Sequence, residues 1–248
     1  MQKLIKVFLV LFSVVSFNVF SADEPVGAAL EIYQCNFAEG KTIADIRRVS
    51  AKWDKWADSN YSAPYAGYLL TPFYQKKSDF PFDLAWLGVA ENFVSLGQAQ
   101  DEWAEKGGRL QAEFDSVTPC HNHAAYYSFT VRRPENQTPN GYLTIRGCNN
   151  KEDSTLEKFA AANAKLNKYL DDNNQNSGIY YWFAGAGSGI EQPYDYLEVT
   201  AISTLKEWGA WPDRSISGNP APNDLEELRS CDTPRVYAVE YAGSKTIN

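Results

Sequence analysis

The feature that most constrains this chain is that it carries the same order of signals twice. Cys35-Asn36 recurs as Cys148-Asn149. Before each pair runs a short alternating stretch, Leu30-Glu31-Ile32-Tyr33 and Leu143-Thr144-Ile145-Arg146. Period-two alternation is the mark of a strand with two different faces. After each pair comes a helix start. Thr42 with Asp45, and Ser154 with Glu157, set a hydroxyl cap three residues before a carboxylate, which serves the free N–H groups of a first turn. Ile46, Val49, Trp53 and Trp56 then mark one helical face, and Phe159, Ala162, Leu166 and Tyr169 mark its counterpart. Aromatic strands follow at 65–74 and 179–184, and further strands at 84–90 and 196–202. Second helices carry Leu96 and Trp103, or Leu205 and Trp208. Last strands at 126–131 and 236–241 each follow a cysteine, Cys120 or Cys231. Each half therefore reads β-α-β-β-α-β.

The expected organisation is an export signal over 1–22, a first repeat over 23–133, a linker over 134–140 and a second repeat over 141–248. Lys3 and Lys6 precede an apolar run that reaches Phe20, and small residues Ser21 and Ala22 close it, as in a secretory signal peptide. Its removal takes the net charge from −8 to −10, because Lys3 and Lys6 leave with it. The linker rests on Pro134, Pro139 and Asn140-Gly141, which are turn formers. A content of 44% hydrophobic and 22% charged residues excludes disorder, collagen and coiled coil. The acidic balance argues against nucleic-acid and anionic-membrane partners, which need basic surfaces. The expected protein is exported, periplasmic or extracellular, off the membrane, and monomeric.

The βαββαβ order is the ferredoxin-like motif. Two consecutive copies resemble the dimeric α+β barrel superfamily, which includes the antibiotic-biosynthesis monooxygenases and several stress-responsive and haem-handling proteins. The resemblance is one of element order, and no catalytic motif of a member is matched. It implies an α+β fold in which two sheets pack face to face as a barrel with helices outside, an internal pseudo-dimer in one chain. In the ferredoxin-like sheet the first and fourth strands are antiparallel neighbours. That resemblance implies the bridges Cys35–Cys120 and Cys148–Cys231, one per repeat, out of three possible connectivities. Free or metal-bound thiolates are the alternative.

Alternation gives each strand two sides. Leu30, Ile32, Leu143 and Ile145, with Ala85, Leu87, Val89, Leu197, Val199 and Ala201, read as the helix-facing side. The other side then lines the barrel and carries Glu31, Tyr33, Trp86, Arg146, Tyr196 and Glu198. A lining that is part aromatic and part ionic suits a small organic ligand. Arg146 and Glu198 lie on strands that neighbour in this topology, so pairing with each other is the competing reading. His121 and His123 read as exposed loop residues. As alternate residues of a strand they would instead share a face, where they could bind a metal or flank a haem iron.

Three functions follow as expectations. The first is a protein that holds a small, partly aromatic or hydrophobic molecule in a barrel cavity, with no cofactor. The second is a cofactor-independent, monooxygenase-like enzyme acting on a phenolic or activated substrate. The third is a structural or stress-related module without a ligand. No catalytic residue can be assigned from the sequence.

Overall fold

The structure, a computed structural model, describes residues 27–136, 138–189 and 192–245. The segment 1–22, expected to be an export signal, lies outside the described residues. The elements run β1 (Gly27–Cys35), α1 (Ile43–Asn60), β2 (Tyr65–Tyr74), β3 (Leu84–Ala90), α2 (Phe93–Lys106), α3 (Gly108–Val117) and β4 (Cys120–Arg132). Then come β5 (Gly141–Asn150), α4 (Leu156–Asp172), β6 (Gly178–Ala186), β7 (Tyr196–Ile202), α5 (Leu205–Ile216), α6 (Asp224–Leu228), β8 (Arg229–Cys231) and β9 (Arg235–Lys245).

The strands form one antiparallel sheet in the order β7-β6-β4-β1-β3-β2-β9-β5, and β5 pairs back onto β7. Eight strands thus close into a barrel, which leaves no free edge among them. The seams between the first four strands and the second four are β4–β6 and β2–β9. The three-residue β8 adds to the far end of β5. Both expected disulfides are present, Cys35–Cys120 and Cys148–Cys231. They join strands at paired positions, the end of β1 to the start of β4 and the end of β5 to β8.

Helices α1, α2, α4 and α5 form where the pattern predicts, and cap chemistry fixes their starts, whereas α3 and α6 have no counterpart in the expected order. Asp45 accepts hydrogen bonds from the backbone N–H and the hydroxyl of Thr42 at the start of α1, both at 2.9 Å. At α4 the cap is Thr155, which accepts from the Lys158 N–H. Ser154, expected to be the cap, instead donates to the Leu228 carbonyl. Ile46, Val49, Trp53 and Ala57 are the buried stripe of α1, and Ala162, Leu166 and Leu170 that of α4.

The apolar core divides into three clusters, and their membership decides which side of each strand faces where. One cluster holds Leu30, Leu70, Ala85, Leu87, Leu143, Ile145, Trp182, Val199 and Tyr237, from strands of both halves and from no helix. This is the barrel interior. The second packs α1, α2 and α3 onto Tyr65, Leu69, Leu84 and Ala90, and the third packs α4 and α6 onto Cys148, Ile179, Tyr181 and Tyr196. The expected assignment of faces is therefore inverted. Leu30, Ile32, Leu87, Leu143, Ile145 and Val199 point into the barrel. Glu31, Tyr33, Trp86, Arg146, Tyr196 and Glu198 point outward, under the helices. The physical reason is that alternation tells which residues share a face but not which face is concave. The interior takes the predominantly apolar set, with Trp182 and Tyr237 among its aliphatic side chains. The sheet–helix seam opens at its ends, so it accepts side chains with polar tips.

Candidate functional site

The outward face of the first half carries a row of residues in register across four strands: Glu31 opposite Gly88, Gly88 opposite Gly67, and Gly67 opposite Gly243. The glycines make a trough in the sheet surface. A Cβ at Gly88 would lie 2.0 Å from the Tyr65 hydroxyl and 2.7 Å from Cγ of Glu31. A Cβ at Gly67 would lie 2.3 Å from the Trp86 ring. Tyr65 and Trp86 therefore lie across the sheet where glycine leaves room, the usual meaning of a strand glycine approached this closely.

Glu31 is the centre of the site. It is 1% exposed. Its Oε1 accepts from the Tyr65 hydroxyl at 2.5 Å and from Nε2 of Gln100 at 2.7 Å. Its Oε2 meets Nε2 of His123 at 2.8 Å. Trp86 Nε1 donates to the Tyr65 hydroxyl at 3.0 Å, and the Tyr33 hydroxyl donates to Oε1 of Gln100 at 3.4 Å. A buried carboxylate is tolerable only when it is paired and hydrogen-bonded in this way. The His123 ring stacks on Tyr33, with centroids 3.7 Å apart and planes within 12°. Both histidines lie on β4 and not in the expected loop. His121 is exposed, while His123 sits opposite Tyr33 in the β1–β4 ladder with its ring held between Tyr33 and Glu31.

Beside this network lies a pocket of about 80 Å³ between sheet and helices. Its walls include Glu31, Tyr33 and Trp86 from the sheet, Trp53 from α1, Gln100 and Trp103 from α2, and Phe114 from α3. The first disulfide, Cys35–Cys120, forms part of the wall. Burial, then the charge of Glu31, raises the ionisation of Tyr33 and Tyr65 well above the ordinary phenol range. Tyr61, beside them, is also raised, chiefly by burial. The three phenols therefore remain neutral donors throughout the physiological range.

The second half uses the equivalent face differently. Arg146 and Glu198 are cross-strand partners on β5 and β7, and Arg146 Nε donates to Glu198 Oε1 at 2.8 Å. The buried Arg229 pairs with the other Glu198 oxygen and donates to the Tyr196 hydroxyl at 3.2 Å. Glu226 joins both arginines, at 3.1 Å from Arg146 and 3.6 Å from Arg229. Burial alone would lower the basicity of Arg229, but Glu198 and the two tyrosines outweigh it and raise it further. The six residues expected to share one cavity thus fall into two groups on opposite halves. Glu31, Tyr33 and Trp86 line the aromatic pocket. Arg146, Tyr196 and Glu198 belong to a filled ionic cluster. Sequence reasoning missed Arg229, Gln100 and the place of His123. A wider groove of about 760 Å³ opens on the surface of the second half beside Lys151, Lys158, Asp224 and Glu227, and no aromatic side chain lines it.

The raised phenols are expected to set the alkaline limit of the fold. Tyr237 in the barrel is pushed up to about 12, mainly by burial, and Tyr33, Tyr61, Tyr65 and Tyr181 move in the same direction from an ordinary value of 10.0. An acid whose folded pKa is raised contributes its full stability below the unfolded pKa and loses it as pH rises. We expect stability to be unaffected by these groups below pH 10 and to fall steadily above it. Absorbance at 295 nm, read against far-UV circular dichroism, should show these tyrosines ionising together with unfolding. Their titration near pH 10 in a folded protein would contradict the burial described here.

No protein-family model and no curated protein matches this sequence. Solved structures do match its fold. A chlorite dismutase-like protein aligns with a TM-score of 0.55 at 10% identity, over 88% of this chain and 96% of the other. A monooxygenase-like protein of Lactobacillus acidophilus gives 0.54 at 10%, over 89% and 99%. The chlorite dismutase of Candidatus Nitrospira defluvii, in complex with imidazole, gives 0.52 at 8%, over 86% and 90%. A haem, which the superfamily resemblance brings to mind, does not fit the pocket. Its volume is far below that of a tetrapyrrole, and no histidine is among its walls. The eight-stranded antiparallel barrel with helices outside is thus a fold this chain shares with chlorite dismutase-like and monooxygenase-like structures.

Proposed function

We propose that this protein binds a small molecule in the sheet–helix pocket of its first half. The observation that carries this reading is the buried carboxylate of Glu31, held by three donors at the wall of a pocket that seven aromatic side chains also line. Apolar walls with a few fixed polar groups are the usual composition of small-molecule sites. The pocket is small by that standard, so the bound portion is a ring or head group rather than a whole cofactor. The ionic cluster around Glu198 is proposed as structural, because each of its charges already has a partner. The two halves are proposed to be copies of one ancestral module. The first has kept its pocket, and the second has filled the equivalent space with ions. Export, with the two disulfides made in an oxidising compartment, completes the reading.

Native mass spectrometry of the protein purified from its own cells tests the main point. We expect a bound mass that survives purification, and its loss in Gly88→Ala, where the added methyl collides with Tyr65 and Glu31. No bound mass in the wild type, or the same mass in the variant, would contradict the assignment.

A proton-transfer enzyme on a phenolic or activated substrate is the second reading. The specific observation favouring it is the Glu31–His123 pair, a buried carboxylate behind a half-exposed imidazole. A carboxylate hydrogen-bonded to an imidazole fixes the orientation of a general base.

A further inference from the structure

The chemistry of the pocket wall identifies a class of occupant, and this step rests on the binding reading above. Seven aromatic side chains line the pocket: Trp53, Trp86, Trp103, Tyr33, Tyr61, Tyr65 and Phe114. Many of them meet at steep angles. Trp53 and Trp86 cross at 84°, Trp86 and Phe114 at 80°, and Trp103 and Phe114 at 72°. Rings packed edge to face turn their faces in different directions, as the walls of a box do. The ionisable carboxylates in the lining are Glu31 and Asp115, and no lysine or arginine is in it. An aromatic face carries a negative quadrupole, so such a box with two acids at its wall attracts a positive charge. Thr118 adds an independent observation. Thr118 is among the walls of the same pocket, and its Oγ1 is buried and has no hydrogen-bond partner among the described residues. A buried hydroxyl left unpaired calls for a partner from outside the chain.

We propose that the occupant is a small organic cation, a quaternary or protonated ammonium head group, seated among Trp53, Trp86 and Trp103 with its charge toward Glu31. The pocket volume of about 80 Å³ suits a head group of this size, with any longer substituent leaving through the open side. Anions are excluded by the same acids, and a neutral apolar group gains only the burial part of the interaction.

The test uses choline and its uncharged isostere 3,3-dimethylbutan-1-ol, titrated into the full-length protein with tryptophan fluorescence and calorimetry as readouts. Choline is expected to bind at least tenfold more tightly than the alcohol. Glu31→Gln is expected to remove most of that preference and to leave the affinity for the alcohol within about twofold. Because Glu31 lies inside a buried network, Trp103→Leu supplies a second variant at a half-exposed wall. It should weaken choline about tenfold and the alcohol far less. Equal or tighter binding of the alcohol overturns the cation assignment and leaves the pocket reading standing. Failure of both probes to bind overturns the cation assignment too. The pocket reading is then decided separately, by the co-purified mass and its response to Gly88→Ala.

Discussion

Arg229→Met is expected to destabilise the protein by about 3–5 kcal/mol, the range for removing one partner of a buried ion pair. Arg229 is 2% exposed, and its guanidinium is held by Glu198, Glu226 and the Tyr196 hydroxyl, with the Tyr181 ring 6.0 Å from its carbon. Without it, Glu198 keeps only Arg146, which reaches solvent. The charge left behind, and not the lost packing, accounts for most of the cost. The double variant Arg229→Met/Glu198→Leu should therefore recover much of the stability, because both desolvation penalties disappear together. Urea unfolding of the two variants measures this. A single variant that costs under about 1 kcal/mol, or a double variant no better than the single, would show that the cluster does not hold the second helical layer in place.

The second large effect concerns the bridges. Cys148→Ala/Cys231→Ala removes a link that closes 83 positions of chain, and Cys35→Ala/Cys120→Ala removes one that closes 85. Loops this long give about 4 kcal/mol each by the chain-entropy account. For a chain of this size that corresponds to a fall in Tm of roughly 8–16 °C. The two pairs should cost about the same in stability but differ in function. Cys35 and Cys120 form part of the pocket wall, whereas Cys148 and Cys231 lie on the other half. Thermal scans combined with choline titration separate the effects. Loss of the first bridge should weaken binding at temperatures where the protein is folded, and loss of the second should not.

Much of the architecture was legible because two copies of one pattern check each other. Strands 65–74, 84–90 and 196–202 fall where the aromatic and alternating runs place them. The bridges follow from the first strand of each half lying beside the segment that leads into its last strand, β1 beside the start of β4 and β5 beside β8. Short elements escaped. The five-residue α6 and three-residue β8 cannot carry a period, and α3 follows α2 after the single residue Gly107, so the expected order has no place for it. The polar run His121-Asn122-His123 reads as loop, yet it is strand because β1 supplies its ladder partners.

The site was legible in composition and misplaced in space. Glu31, Tyr33 and Trp86 were identified by alternation, but the covered side of a strand looks alike whether a helix or an opposing sheet covers it. His123 was hidden for a narrower reason. Counting back from the Cys35–Cys120 bridge puts Asn122 beside Tyr33. A bulge between Gln34 and Cys35 shifts the register by one and brings His123 there instead. No feature of the sequence announces that bulge. Arg229 lies far along the chain from Glu198, on an element too short to predict.

We propose that the working surface of this barrel is its outer wall under α1, α2 and α3, and not its interior. A crystal structure of the protein with choline bound, or with the molecule it carries from its own cells, tests this directly. The account predicts density enclosed by Trp86, Trp103 and Glu31, beside the Cys35–Cys120 bridge. Density among Leu30, Leu143 and Val199, inside the closed sheet, would contradict it.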